Sequence, residues 1–138
     1  MTITLKSLLV PSKTVEVDYP GFPGFKLTLS FLSRETLLGI RKKSTKTTFK
    51  NRQASDEFDE DAFIQYYTQN AIKGWTGFKL EYLEQLAPVD LTGQDMDAEL
   101  PFTEENALSL MKSSANFDAF ISDQVSDLGN FSSSNSSK

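Results

Sequence analysis

Asp59-Glu60-Asp61-Ala62-Phe63-Ile64-Gln65-Tyr66-Tyr67-Thr68-Gln69-Asn70-Ala71-Ile72-Lys73-Gly74-Trp75-Thr76-Gly77-Phe78 divides the chain into two unlike parts. Its acidic start suits the positive end of a helix dipole, and Phe63, Tyr66, Tyr67, Asn70 and Ala71 recur at helical spacing. Lys73 falls in a last turn, Gly74 reads as a C-cap, and Trp75-Thr76-Gly77-Phe78 follows as a tight aromatic turn. A solvent-facing Trp75 would be a binding hot spot, whereas a buried one would pin the turn to a sheet; the size of the indole favours the second.

Upstream the pattern is strand-like. Thr2 to Val10 and Thr14 to Tyr19 show apolar alternation, with Pro11-Ser12-Lys13 between them as a turn. Pro20-Gly21-Phe22-Pro23-Gly24 is a second turn, after which Phe25, Leu27, Leu29 and Phe31 alternate strictly, as in a sheet covered on one face. Ser33 then caps a short helix carrying Leu37, Leu38 and Ile40.

The run Arg41 to Arg52 is basic and hydroxyl-rich and is read as a solvated linker. Arg41, Lys42, Lys43, Lys46 and Phe49 are its candidate partner-binding residues, because exposed cations beside one aromatic suit a charged partner surface. No RNA-binding aromatic signature accompanies them, so nucleic acid is not the expected partner. Ser55 to Asp61 is read as negative charge at a helix start; it lacks the central Gly and ligand register of a calcium loop.

Downstream, Leu80, Tyr82, Leu83 and Leu86 predict a short helix ending before Pro88, and Asp90 to Leu100 an exposed loop. Thr103 caps the next helix, with Phe102 as staple and Glu104 and Glu105 in its first turn; it stops near Lys112-Ser113-Ser114. Ser114 or Asn116 caps the last helix, whose stripe is Phe117, Phe120, Ile121, Val125 and Leu128, ended by Gly129. Ser132 to Lys138 is polar low-complexity sequence expected to be disordered.

These elements predict an α+β fold, an N-terminal antiparallel β-sheet of about three strands followed by four or five short α-helices. One domain is expected over residues 1–131, β-rich over 1–32 and mainly helical over 33–131.

The 138 residues include no Cys and no His. That removes thiolate nucleophiles, Cys-ligated zinc, the commonest general base and the commonest metal ligand together. No phosphate loop, dinucleotide-binding glycine pattern or nucleophile elbow is present, and the carboxylate pairs Asp59/Asp61 and Glu104/Glu105 are explained as helix N-terminal charge. The expectation is a protein with no catalytic residues, no cofactor and no metal. Neither an apolar run of membrane-spanning length nor a signal-peptide pattern occurs, so no membrane association is expected.

Charge is distributed unevenly. Residues 1–50 hold nine basic and three acidic side chains, and the remainder holds five basic and sixteen acidic ones. Such polarity fits head-to-tail contact between copies, or a basic face folded back on an acidic one.

Taken in order, the motifs resemble the tail assembly chaperones of long-tailed, siphophage-type bacteriophages. The resemblance rests on a β-rich start, Ser33-Arg34-Glu35, a basic linker, the Asp59 to Phe63 helix start and the Gly74-Trp75-Thr76-Gly77 turn. Pro101-Phe102-Thr103-Glu104-Glu105-Asn106-Ala107-Leu108, a closing helix with Phe117, Phe120 and Ile121, and Asp127 to Phe131 complete it, so that it covers most of residues 27–131. It implies a non-enzymatic factor that coats the tape-measure protein, keeps its apolar helices soluble and helps recruit tail tube subunits during tail morphogenesis. It also implies self-association, a host-cytoplasmic location, absence from the mature virion, and a longer product made by translational frameshift. A minor structural tail component, tube or completion protein, retained in the virion, is the alternative. The family offers no catalytic residues.

Overall fold

The computed structural model describes residues 3–9 and 13–127. It is α+β, an antiparallel sheet and a separate hairpin combined with short helices. Strands β1 (Thr14–Asp18) and β2 (Lys26–Ser30) pair from Thr14↔Ser30 to Asp18↔Lys26 around the turn at Pro20 to Gly24. Gly21 and Gly24 have positive φ there, which only glycine adopts without steric cost. Leu27 and Leu29 are fully buried while Lys26 is exposed, the one-sided burial that alternation predicts.

The third strand of this sheet is β5 (Ile72–Thr76), which pairs with β2 on the side away from β1. The expected strand over Thr2 to Val10 is not there: the described part of that segment holds a four-residue helix, α1 (Leu5–Leu8). Ile3, Leu5, Leu8 and Leu9 are all at least 63% exposed, so alternation in this segment has no sheet face to bury. Thr2, Val10 and the predicted turn residues Pro11 and Ser12 lie outside the described residues.

The second correction concerns the end of the central helix, α3 (Glu60–Ala71). Gly74 is not its C-cap; the helix ends at Ile72, whose backbone is already extended, and Lys73 and Gly74 belong to β5. One terminal carbonyl finds a side-chain donor instead, Lys73 Nζ donating to Gln69 O at 3.1 Å, while Asn70 Nδ2 adds a second bond to Tyr66 O, inside the helix ladder, at 2.7 Å. With the orphan carbonyls partly satisfied, no left-handed residue is required, and Ile72 and Trp75 enter the sheet opposite Leu29 and Leu27. A register shift between Thr28 and Leu29 accommodates the extra residue. Gly77 then makes the tight turn, with φ +71.

The third correction is the linker. After α2 (Arg34–Lys43), residues read as basic linker and helix lead-in form a hairpin, β3 (Thr45–Lys50) and β4 (Gln53–Phe58), in a sheet of its own. Asn51 and Arg52 make its turn with φ 53 and 66, both left-handed, as a tight hairpin with right-handed strand twist requires. Ser55, Asp56 and Glu57 are therefore strand residues, and only Asp59, Glu60 and Asp61 serve the α3 N-terminus.

Of the remaining helices, α4 (Leu80–Leu86) ends before Pro88 as expected and has no side-chain cap, and α5 (Glu104–Ser113) and α6 (Ala115–Ser126) follow the predicted caps. Ser33, Asp59, Thr103 and Ser114 each accept the backbone N–H three residues on, at 3.0–3.2 Å. Such a cap is worth about 1 kcal/mol. On α3 the fully buried positions are Thr68 and Ala71, while Phe63, Tyr66, Tyr67 and Asn70 are half-buried, so the core face is rotated from the predicted one. Leu128, Gly129, Phe131 and Ser132 to Lys138 lie outside the described residues.

Sheet and helices share their core. Phe25 stacks on Phe78 at 4.2 Å, Trp75 meets Phe25, Phe78 and Phe102 edge-on, and Tyr19 packs against Phe117 and Phe120 of α6. Tyr82 donates its hydroxyl to Pro23 O at 2.7 Å, and Leu32 N–H donates to Val125 O at 3.0 Å. Trp75 is 7% exposed and lies in β5, a buried strand residue where a turn residue is expected.

Candidate functional site

Among the described residues, the β3–β4 hairpin is joined to the rest of the chain at its foot. There Asp59 N–H donates to Ser44 O at 2.7 Å, Ser44 Oγ donates to Ile40 O at 2.7 Å, and Phe58 packs on Phe63 with ring centroids 5.5 Å apart. Beyond the foot both strands are mostly exposed, and all of β4 is. Thr47 Oγ1 donates to Asp56 Oδ1 at 2.8 Å across one face, and Lys46 lies opposite Glu57 on the other. A two-stranded hairpin without a covered face is marginal in water. Phe49, paired with Ala54 one step from the turn, is 77% exposed.

Of the five predicted partner-binding residues, Lys46 and Phe49 lie on this hairpin and the other three precede its foot. Arg41, Lys42 and Lys43 occupy the last turn of α2, where they complement its dipole. Lys43 Nζ is 5.9 Å from the Tyr66 ring centroid, and Lys46 Nζ is 3.9 Å from Asp59 Oδ2. Phe49 is four residues beyond Thr45, about 13 Å along an extended strand. The cations therefore cluster at the foot and the aromatic stands near the tip, rather than forming one patch.

A groove that sequence reading missed lies between α3 and the start of α5. It has a volume of about 240 Å³ and is walled by Thr68, Ile72, Phe102, Ala107 and Leu108, with Gln65, Gln69, Glu104 and Glu105 around it. Thr68 is 2% exposed, and its Oγ1 has no hydrogen-bond partner among the described residues. Glu104 and Glu105 were legible as helix N-terminal charge, but the apolar floor beneath them requires that α3 and α5 pack together.

A second depression, about 210 Å³, is lined by Phe63, Ile64, Tyr67, Met111, Asp118 and Ser122. Tyr67 OH bonds Ser122 Oγ at 3.2 Å, and Ser122 Oγ donates to Asp118 Oδ1 at 3.2 Å. Burial pushes the Tyr67 phenol above its ordinary range; the Ser122 bond pulls the other way and the Asp118 charge reinforces the rise. This relay ties α3 to α6. Its serine has no imidazole beside it, because the chain contains no His. Among the described residues no group of three or more Asp or Glu could hold a metal ion, and no helix is long and apolar enough to cross a membrane.

Compared with protein-family models, with curated proteins and with solved structures, the chain matches none of them.

Proposed function

We propose that the chain is a non-enzymatic tail assembly chaperone of the long-tailed-phage type, which coats the tape-measure protein, keeps its apolar helices soluble and helps recruit tail tube subunits in the host cytoplasm. The observation that carries the reading is the ordered run of motifs from Ser33-Arg34-Glu35 through Gly74-Trp75-Thr76-Gly77 to Pro101-Phe102-Thr103-Glu104-Glu105-Asn106-Ala107-Leu108.

The surface supports it physically. A holder of amphipathic helices needs apolar area available on a charged, soluble body. Ile3, Leu5, Leu8 and Leu9 at one end, and Phe49 on the hairpin, are large apolar side chains left exposed. Arg41, Lys42 and Lys43 supply charge next to the hairpin foot. In this reading the working parts are surfaces for protein, and a longer frameshifted product would extend the same body.

Co-expression with the tape-measure protein tests it. The client should be soluble and co-purify with the chain, and should aggregate without it. A tape-measure protein equally soluble without the chain overturns the reading. Mass spectrometry of purified virions separates the alternative: a chaperone is absent from the particle, whereas a minor structural tail component is retained.

A further inference from the structure

We propose that copies of this chain join head to tail, the β3–β4 hairpin tip of one copy seating Phe49 in the α3–α5 groove of the next. Residues 48–54 at the tip carry Lys50 and Arg52 and no acid; the groove carries Glu104 and Glu105 and no base. Among the described residues none of these four charges takes part in a salt bridge. An exposed aromatic at a tip that carries two cations, Lys50 on the opposite face of β3 from Phe49, is thus offered an apolar floor flanked by two carboxylates. This is the pairing of a desolvated anchor with a charged rim that protein interfaces use.

The hairpin foot and the groove lie far apart on the fold. The hairpin foot joins α3 at its first turn, through Asp59. The groove uses Gln65 to Ile72 at the other end of α3 and the first turn of α5. Lys112 Nζ, in the last turn of α5, lies 3.5 Å from Asp61 Oδ1, so the two helices run antiparallel and the α5 start is remote from the foot. A 12-residue helix spans about 18 Å. The hairpin foot and the socket therefore sit at opposite ends of α3. Pairing of unlike surfaces propagates into rings or open filaments instead of closing as a symmetric dimer.

The inference concerns the purified chain alone and stands or falls separately from client binding. Sedimentation velocity of the wild type should give a series of sizes growing with concentration, shifting toward monomer as salt rises from about 0.05 M to about 0.5 M. Phe49→Asp and the pair Glu104→Lys with Glu105→Lys should each be monomeric, with melting curves verifying that they are folded. The pair Glu104→Gln with Glu105→Gln serves if charge reversal at the α5 start impairs folding. Mixed together, the knob variant and the groove variant should form a dimer and nothing larger, because one intact tip and one intact groove remain between them. A wild type that is monomeric at every concentration and salt, assembly retained by either folded variant, or a mixture that stays monomeric overturns the proposal. Assembly retained by Phe49→Asp would assign the contact to another apolar surface, such as the exposed residues 3–9.

Discussion

The indole Nε1 of Trp75 donates to the carbonyl of Leu100 at 2.9 Å, joining β5 to the segment that leads into α5 across 25 residues of sequence. Leu100 N–H in turn donates to Phe78 O at 2.7 Å, and Phe102 packs edge-on against the indole. One side chain therefore holds the sheet and the α5 entrance together. Trp75→Ala should cost about 3–5 kcal/mol, the range for emptying a large aromatic from a packed core. Trp75→Phe keeps most of the apolar contact but leaves the Leu100 carbonyl without its donor, and should cost about 1–3 kcal/mol. Urea melts of the two variants test this; a Trp75→Ala protein of undiminished stability would show that the indole is not a core member.

Gly77 and Gly93 both have positive φ, +71 and +80, yet their surroundings differ. A Cβ on Gly77 would run into the carbonyl group of Gly24, backbone that cannot rotate away, whereas a Cβ on Gly93 meets nothing within 4 Å. Gly93→Ala should cost only the left-handed backbone penalty, about 1–2 kcal/mol. Gly77→Ala should exceed that clearly, since the turn must open and Gly77 N–H must then give up Glu99 Oε1, its acceptor at 2.8 Å. Equal losses in thermal melts would mean that the Gly24 turn yields without cost.

Tyr67 gives the fold an alkaline limit. An unfolded phenol ionises near 10.0, and in the folded chain burial holds the Tyr67 proton to higher pH, as it does for Tyr19. Between the two values the folded state binds more protons than the unfolded one. The contribution is whole below pH 10 and is lost as pH rises through the folded pKa. Melting temperature should therefore fall above pH 10, together with late appearance of phenolate absorbance, and Tyr67→Phe should flatten that fall. An unchanged alkaline slope in the variant would sink the argument.

Local signals in the sequence read out well where one side chain decides the outcome. Ser33, Asp59, Thr103 and Ser114 cap helices because a hydroxyl or carboxylate answers an orphan N–H three residues away. The strict alternation of Phe25 to Phe31 located the central strand for a similar reason. Gly74 is misleading because glycine at a helix end has two uses, and the choice is made by Lys73 satisfying the Gln69 carbonyl and by β2 offering an open edge. The hairpin was hidden because its faces are polar and its turn is Asn51-Arg52, without the usual glycine. Of the site, Phe49 and the nearby cations were visible as an exposed run, but the α3–α5 groove was not, since no periodicity records where two helices part.

Thr68 should prove an inexpensive place to improve the fold. Its Oγ1 is buried beside the groove with no hydrogen-bond partner among the described residues, so the hydroxyl is desolvated without return. Thr68→Val exchanges it for a methyl of similar volume and should leave stability unchanged or raise it by about 1 kcal/mol. A loss of that size in chemical denaturation would instead mean that the hydroxyl holds a bond along α3.

Arg52 is the strained member of the hairpin turn, a side chain held at φ 66 where glycine is at ease. Arg52→Gly should raise hydrogen-exchange protection of the β3 and β4 amides by up to several-fold, because the relieved strain, about 1 kcal/mol, acts on a locally opening unit. The global melting temperature should move little, since the core cluster contains no β3 or β4 residue. The same substitution removes one of the two cations at the tip. A steadier hairpin with weaker low-salt association would separate the conformational role of that turn from its charge, whereas faster amide exchange in the variant would mean that the arginine side chain itself holds the hairpin.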